Sequence, residues 1–120
     1  MPAILVVDDE PGVAEVLEAL LLDRGYAVHV ASDGRDGLLA LHTGLGFDAV
    51  LLDYMMPVMD GVAMLRTMQT DLAVAGAPVM FMVSLPEAAI QSQVSGYAGF
   101  LRKPFGVQAV LAMSNGVMRR

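Results

Sequence analysis

Three aspartates, one serine and one lysine carry most of the chemistry that this chain of 120 residues offers. Asp8 and Asp9 follow one apolar run, Asp53 ends another, Ser84 ends a third, and Lys103 follows Phe100-Leu101. Taken singly, each has an ordinary explanation. Asp8 and Asp9 can cap the helix that follows, Asp53 can be a solvated loop carboxylate, and Ser84 a turn residue. Lys103 can be an exposed cation before a helix-opening proline, although it is the only lysine in the chain. Brought together, the set is more specific. Three carboxylates repel one another unless a cation sits among them, and an oxygen-only donor set at an open edge suits Mg²⁺ rather than zinc. With an ammonium and a hydroxyl alongside, such a site neutralises and hydrogen-bonds phosphoryl oxygens. No glycine-rich loop ends in Gly-Lys-Ser/Thr, so a nucleotide has little support as the phosphoryl carrier. A carboxylate can itself accept the group, as an aspartyl phosphate.

The elements that must gather these residues follow from the apolar pattern. Ala3–Val7 is short, continuous and β-branched, which predicts a strand buried on both faces. Pro11 suits a first helical position, Val13, Val16, Leu17, Leu20 and Leu21 recur at helical spacing, and Gly25 stops that helix. Ala27–Ala31 predicts a second strand, and Ser32 or Asp33 a cap for the helix carrying Leu38 and Leu41. A third strand at Ala49–Leu52 leads through a loop ending in Asp60-Gly61 to a helix presenting Met64, Leu65, Met68 and Leu72. Pro78–Val83 is the fourth strand. The stretch from Glu87 to Val94 has only Ile90 and Val94 as strong anchors, Phe100-Leu101 is a brief fifth strand, and Pro104 opens a last helix with Val107, Val110, Leu111 and Ser114 on one face. Alternating strands and helices at this length predict an α/β fold: a five-stranded parallel sheet, order 2-1-3-4-5, flavodoxin-like and doubly wound. Ligands of such sheets bind at the carboxyl ends of the strands, where Asp8, Asp9, Asp53, Ser84 and Lys103 all fall.

Composition narrows the function classes. Thirteen acidic residues against seven basic ones give a net charge of −6, the wrong sign for neutralising nucleic-acid phosphates. The absence of cysteine excludes a disulfide scaffold and a thiolate nucleophile or metal site. Mean hydropathy is high at +0.59. However, the longest uncharged runs, Leu72–Pro86 and Pro104–Met118, fall short of the roughly 20 apolar residues of a spanning helix. No signal peptide opens the chain, and a cytoplasmic location without membrane contact is expected. His29 and His42 lack metal-ligand spacing and read as structural or surface residues.

Three stretches, ILVVDDE at 4–10, VLLDYMMPVMDG at 50–61 and FLRKPF at 100–105, together with Ser84, make the whole chain resemble the receiver (response regulator) domain of two-component signalling. The resemblance implies a single receiver domain over 1–120, with no output domain in this chain. It implies that Asp53 accepts a phosphoryl group from a sensor histidine kinase or a histidine phosphotransfer protein. Asp9, Asp53 and the backbone carbonyl of Met55 would ligate Mg²⁺, with Asp8 acting mainly through water, and Lys103 would pair with the phosphoryl group. Ser84 and the aromatic Phe100 would form the switch, while Pro57, Asp60 and Gly61 would shape the loop after the acceptor. The face of the fourth helix, fifth strand and fifth helix would meet a downstream effector or a second copy. Such a domain is no metabolic enzyme, since it catalyses only its own phosphoryl transfer and slow dephosphorylation.

The sequence also departs from the family. Leu85 stands where receivers usually have a small residue, and with Met55 and Pro86 it makes the surroundings of the acyl phosphate apolar. None of the three can orient a water, so the phosphoryl group should be long-lived. The interval from Ser84 to Lys103 is a few residues short, which predicts an abbreviated fourth helix. Ala88–Leu101 has no ionisable group but Tyr97, and Pro104–Met118 has none, so the expected effector face is either a solvated apolar surface or a docking surface. A pseudo-receiver, a protein-binding module independent of phosphorylation, is the rival reading; Leu85 favours it and the intact set of polar residues opposes it.

Overall fold

Strands made of continuous aliphatic runs offer water no polar face, so each must be covered on both sides. The computed structural model describes residues 2–43, 46–56, 59–71, 76–103 and 106–118, except the side chains of Glu87 and of 113–118. In it β1 (Ala3–Val7), β2 (Ala27–Ala31), β3 (Ala49–Asp53), β4 (Val79–Val83) and β5 (Gly99–Arg102) alternate with five helices. These are α1 (Pro11–Asp23), α2 (Gly34–Leu41), α3 (Gly61–Thr70), α4 (Glu87–Gln91) and α5 (Val107–Met118). All strand pairs are parallel and the sheet order is β2-β1-β3-β4-β5, as the pattern predicted.

Alternation along each strand divides the core in two. Leu5, Val7, Val50, Leu52, Val79, Phe81 and Val83 face Met64, Leu65 and Met68 of α3 and Ile90 of α4. Ile4, Val6, Ala49, Leu51, Met80, Met82 and Leu101 face Leu17 and Leu21 of α1 and Val110 of α5. Each fully buried aliphatic side chain contributes about 1.5–3 kcal/mol, so both faces are firmly held. Phe81, packed between the rings of Tyr54 and Tyr97 at 5.6 and 5.4 Å, anchors the first face.

Local signals act where expected. Pro11 opens α1, and Gly25, at φ +87°, terminates it with its N–H on the Leu22 carbonyl at 3.0 Å. Asp33 caps α2 through the Asp36 N–H, and Asp60 caps α3 through the Ala63 N–H. The fourth helix is five residues long, with Ile90 within it and Val94 just beyond its end buried as anchors of the stretch. Two expectations are corrected. Val16 is 54% exposed because Ala14, Leu17 and Leu21 form the inward stripe of α1, and Val16 lies across the helix from them. Val107, at the first residue of α5, is 49% exposed, while Val110 and Leu111 carry the contact. The expectations for Pro57, Leu72, Pro104 and the Ser114 side chain lie outside the described residues.

Candidate functional site at the carboxyl edge of the sheet

Register brings the polar residues together. Val7 pairs with Leu52, so Asp8 and Asp53 emerge side by side from β1 and β3. Asp53 pairs with Met82, and Val83 pairs with Arg102, so Ser84 and Lys103 leave β4 and β5 as neighbours. Backbone bonds extend the alignment past the strand ends: the N–H of Asp8 donates to Ala31, that of Tyr54 to Met82 and that of Lys103 to Val83, at 2.7–3.1 Å. Asp8, Asp53, Ser84 and Lys103 also continue the phase of Val6, Leu51, Met82 and Leu101, which face α1 and α5. One sheet face and one sheet edge thus receive all four.

Lys103 is the centre of this cluster. Its Nζ donates to Asp8 Oδ2 at 3.1 Å and Glu10 Oε1 at 3.2 Å, and lies 3.3 Å from Asp53 Oδ1. Asp8 and Asp53 are buried, at 2% and 4% exposure, and Asp8 is fixed from behind by the Glu10 N–H at 2.9 Å. Asp9 is exposed, and one oxygen from each of Asp8, Asp9, Glu10 and Asp53 lies within 4.8 Å of the others. Four carboxylates against one ammonium leave an excess of negative charge, and the donors are all oxygen. A hard divalent cation such as Mg²⁺ fits both facts.

The electrostatics follow from burial and crowding. Burial, reinforced by the neighbouring Asp8 charge and only partly offset by Lys103, pushes the Asp53 carboxyl up to about 7. Burial alone would lower the Lys103 ammonium, but its bonds to Asp8 and Glu10 and the Asp53 charge overcome this and raise it. The cleft around these groups, about 90 Å³, is lined by Glu10, Asp53, Tyr54, Met55, Val83, Ser84 and Lys103.

The loop beyond Asp53 is held by a glycine. Gly61 donates its N–H to the Tyr54 carbonyl at 3.1 Å, and a Cβ there would stand 2.6 Å from the Asp53 carbonyl oxygen. Only glycine lets the start of α3 sit this close to the acidic residue.

Of the residues picked from sequence, Asp8, Asp9, Asp53 and Lys103 therefore cluster, and Ser84 and Met55 border the same cleft. Phe100 is apart from them, half-buried against the α3-side core and in register with Phe81. Leu85 lines an adjoining groove of about 760 Å³ with Tyr54, Met56, Val62, Arg66 and others, and among the described residues Met55 and Tyr54 border both spaces. Sequence reasoning missed Glu10 as a partner of Lys103, though its place in the Asp8-Asp9-Glu10 run was the available signal. His42, expected as a structural or surface residue, is exposed and does not line the cleft; its Nε2 lies 2.7 Å from Asp71 Oδ2.

A doubly wound sheet of this order, ending in an acidic cleft closed by one lysine, is the architecture of two-component receivers. The family model for the response regulator receiver domain matches residues 4–115, and the chain belongs to that family. It is 35% identical, over its whole length, to half of the DNA-binding dual master transcriptional regulator RpaA of Synechocystis. More generally, the chain spans half or less of the length of the first curated relatives it matches. Among solved structures, a response regulator from Chloroflexus aurantiacus superposes with a TM-score of 0.89 at 28% identity, covering 100% of both chains. The receiver domain of the sensor histidine kinase PA1611 from Pseudomonas aeruginosa, described with a magnesium ion coordinated in its active-site cleft, superposes with a TM-score of 0.84 at 25% identity, covering 98% of this chain and 95% of that one. No helix among the described residues is long and apolar enough to cross a membrane.

Proposed function

We propose that the chain is a single, phospho-accepting receiver domain in which Asp53 takes a phosphoryl group from a phosphohistidine on a sensor kinase or phosphotransfer protein. An Asp53 carboxylate oxygen bonds to phosphorus, the phosphorus–nitrogen bond breaks, and the departing imidazole keeps the electron pair. The observation that carries this reading is the 3.3 Å approach of Lys103 Nζ to Asp53 Oδ1 inside a cleft with three further carboxylates. Lys103 neutralises a phosphoryl oxygen, Ser84 donates a hydrogen bond to another, and Asp8 keeps Lys103 in place. Asp8, Asp9, Asp53 and the Met55 carbonyl would hold Mg²⁺, which supplies further neutralisation of the phosphoryl charge when bound. The magnesium described in the PA1611 receiver supports that assignment.

The output is a change of surface. The phosphoryl dianion draws Ser84 inward, Phe100 turns into the space released, and the α4-β5-α5 face is remodelled for an effector or a second copy. DNA binding belongs to RpaA by name, a protein of which this chain covers half; this segment, at net charge −6, acts through protein contacts. Treating the protein with acetyl phosphate and Mg²⁺ and weighing it intact tests the proposal. A gain of one phosphoryl mass in the wild type, lost in Asp53→Asn, is expected. No gain would leave a phosphorylation-independent binding module.

A further inference from the structure

An ammonium has three N–H bonds to donate, and in this structure three carboxylates stand round Lys103: Asp8, Glu10 and Asp53. Two of its donors make hydrogen bonds, to Asp8 and Glu10, and the third faces Asp53 at 3.3 Å. If Asp53 is phosphorylated (the reading on which this inference rests), the donor facing Asp53 passes to one phosphoryl oxygen, and Lys103 can bring a second donor to the dianion only by releasing another partner. Asp8 is not the one, since its side chain is fully buried and tied to the Glu10 N–H. Asp53 carries the phosphoryl group itself. Glu10 remains, with its side chain 61% exposed and free to be rehydrated on leaving. We infer that Glu10 is a positioning residue that holds one donor of Lys103 in the unphosphorylated state and hands it to the phosphoryl group on loading as a second contact.

Its place before α1 suits Glu10 to this role. It precedes α1, but its side chain makes no cap bond; only its backbone carbonyl does, accepting from Val13 and Ala14 at 3.1 Å. Replacing the side chain therefore leaves the helix start intact. Its bond to Lys103 is part-exposed, strong enough to orient an ammonium yet weak enough for a dianion to displace.

The chain has a single lysine, so its side-chain ammonium gives one nitrogen resonance. The test compares that resonance in wild type and Glu10→Ala, before and after loading with acetyl phosphate and Mg²⁺, with intact mass recording the loading. Before loading, ammonium protons of Glu10→Ala should exchange with water about threefold faster, the factor a part-exposed ion pair is worth. Glu10→Gln, which keeps the oxygen but not the charge, should fall between. After loading, the resonance should reach the same position in wild type and Glu10→Ala, because Glu10 has let go. Equal exchange before loading, or a difference that persists after it, overturns the inference. A wild type that gains no mass removes the acceptor reading itself and the release step with it, a failure the mass spectrum distinguishes from the other two.

Discussion

Two charged clusters stand at opposite edges of the sheet. At the carboxyl edge Lys103 meets Asp8 and Asp53, both buried; at the other, where the helices end, His42 of the α2 cap meets Asp71 of the α3 cap with both side chains partly exposed. Bond lengths do not rank them, since the exposed pair is the shorter, at 2.7 Å against 3.1 Å. Burial does. Water screens the exposed pair and would solvate either partner if the other were lost, whereas a buried carboxylate without its cation has no such recourse. In a chain with only 17% charged residues, placing carboxylates in excess of cations at one buried edge is a local instability that a proton on Asp53 or a bound cation relieves.

The sharpest way to break this contrast is to remove the cation. Lys103→Met should destabilise the metal-free protein by about 3 kcal/mol at pH 8, the cost of stranding buried carboxylates. Urea denaturation with and without Mg²⁺ checks it, and Mg²⁺ should restore much of the loss. A loss no larger than that of an exposed ion pair would erase the distinction between the two edges.

The second effect has the opposite sign. Because the folded Asp53 carboxyl lies near 7 against its ordinary 3.8, the folded chain holds a proton between those values that the unfolded chain has released. Metal-free stability should fall as pH rises through that window and level off above it. Asp53→Asn should abolish most of the slope and gain on the order of 2 kcal/mol at pH 8. Denaturation midpoints across pH 4–9 measure both, and saturating Mg²⁺ should flatten the wild-type curve because metal replaces proton.

Much of this edge was legible in the sequence. The runs before Asp8, Asp53 and Ser84 are too apolar to face water on either side, so parallel strands with their ends in one row were the available solution. The short interval between Ser84 and Lys103 anticipated the five-residue α4. What escaped depended on side-chain direction or on packing between distant elements. Val16 matched the helical spacing but not its inward stripe. Leu85 could be placed next to Ser84 by adjacency, but the groove that it lines could not be read from the sequence. Glu10 was passed over although it completes an acidic run, because the run does not say which acid will meet the lysine. His42 and Asp71 meet only because α2 and α3 pack together, and neither helix announces the other.

The surroundings of Asp53 give a smaller, kinetic prediction. Met55 lines the acidic cleft and Leu85 the adjoining groove, so the long life expected of the phosphoryl group should depend more on Met55. Met55→Gln, able to orient a water, should shorten the half-life about threefold, which is about 0.65 kcal/mol in the barrier. Leu85→Ala should change it less. Loss of phosphoryl mass with time decides between them, and a larger effect at Leu85 would show that access through the groove limits hydrolysis.

The smallest effect belongs to the other edge. His42 Nδ1 faces the Leu38 carbonyl at 2.8 Å while Nε2 faces the Asp71 carboxylate, so both ring nitrogens meet acceptors and only the imidazolium satisfies both. The Leu38 carbonyl and then Asp71 accordingly raise the His42 value above its ordinary 6.5. For a raised histidine the stabilisation is complete below the ordinary value and is lost as pH climbs through the raised one. Asp71→Asn should lower the His42 midpoint in an NMR titration without returning it fully to 6.5, since the Leu38 carbonyl remains. The variant should leave phosphoryl loading at Asp53 unchanged, because α2 and α3 end at the sheet edge remote from the cleft. An unmoved midpoint would mean that water outcompetes the pair, and altered loading would mean that the two edges are coupled through α3.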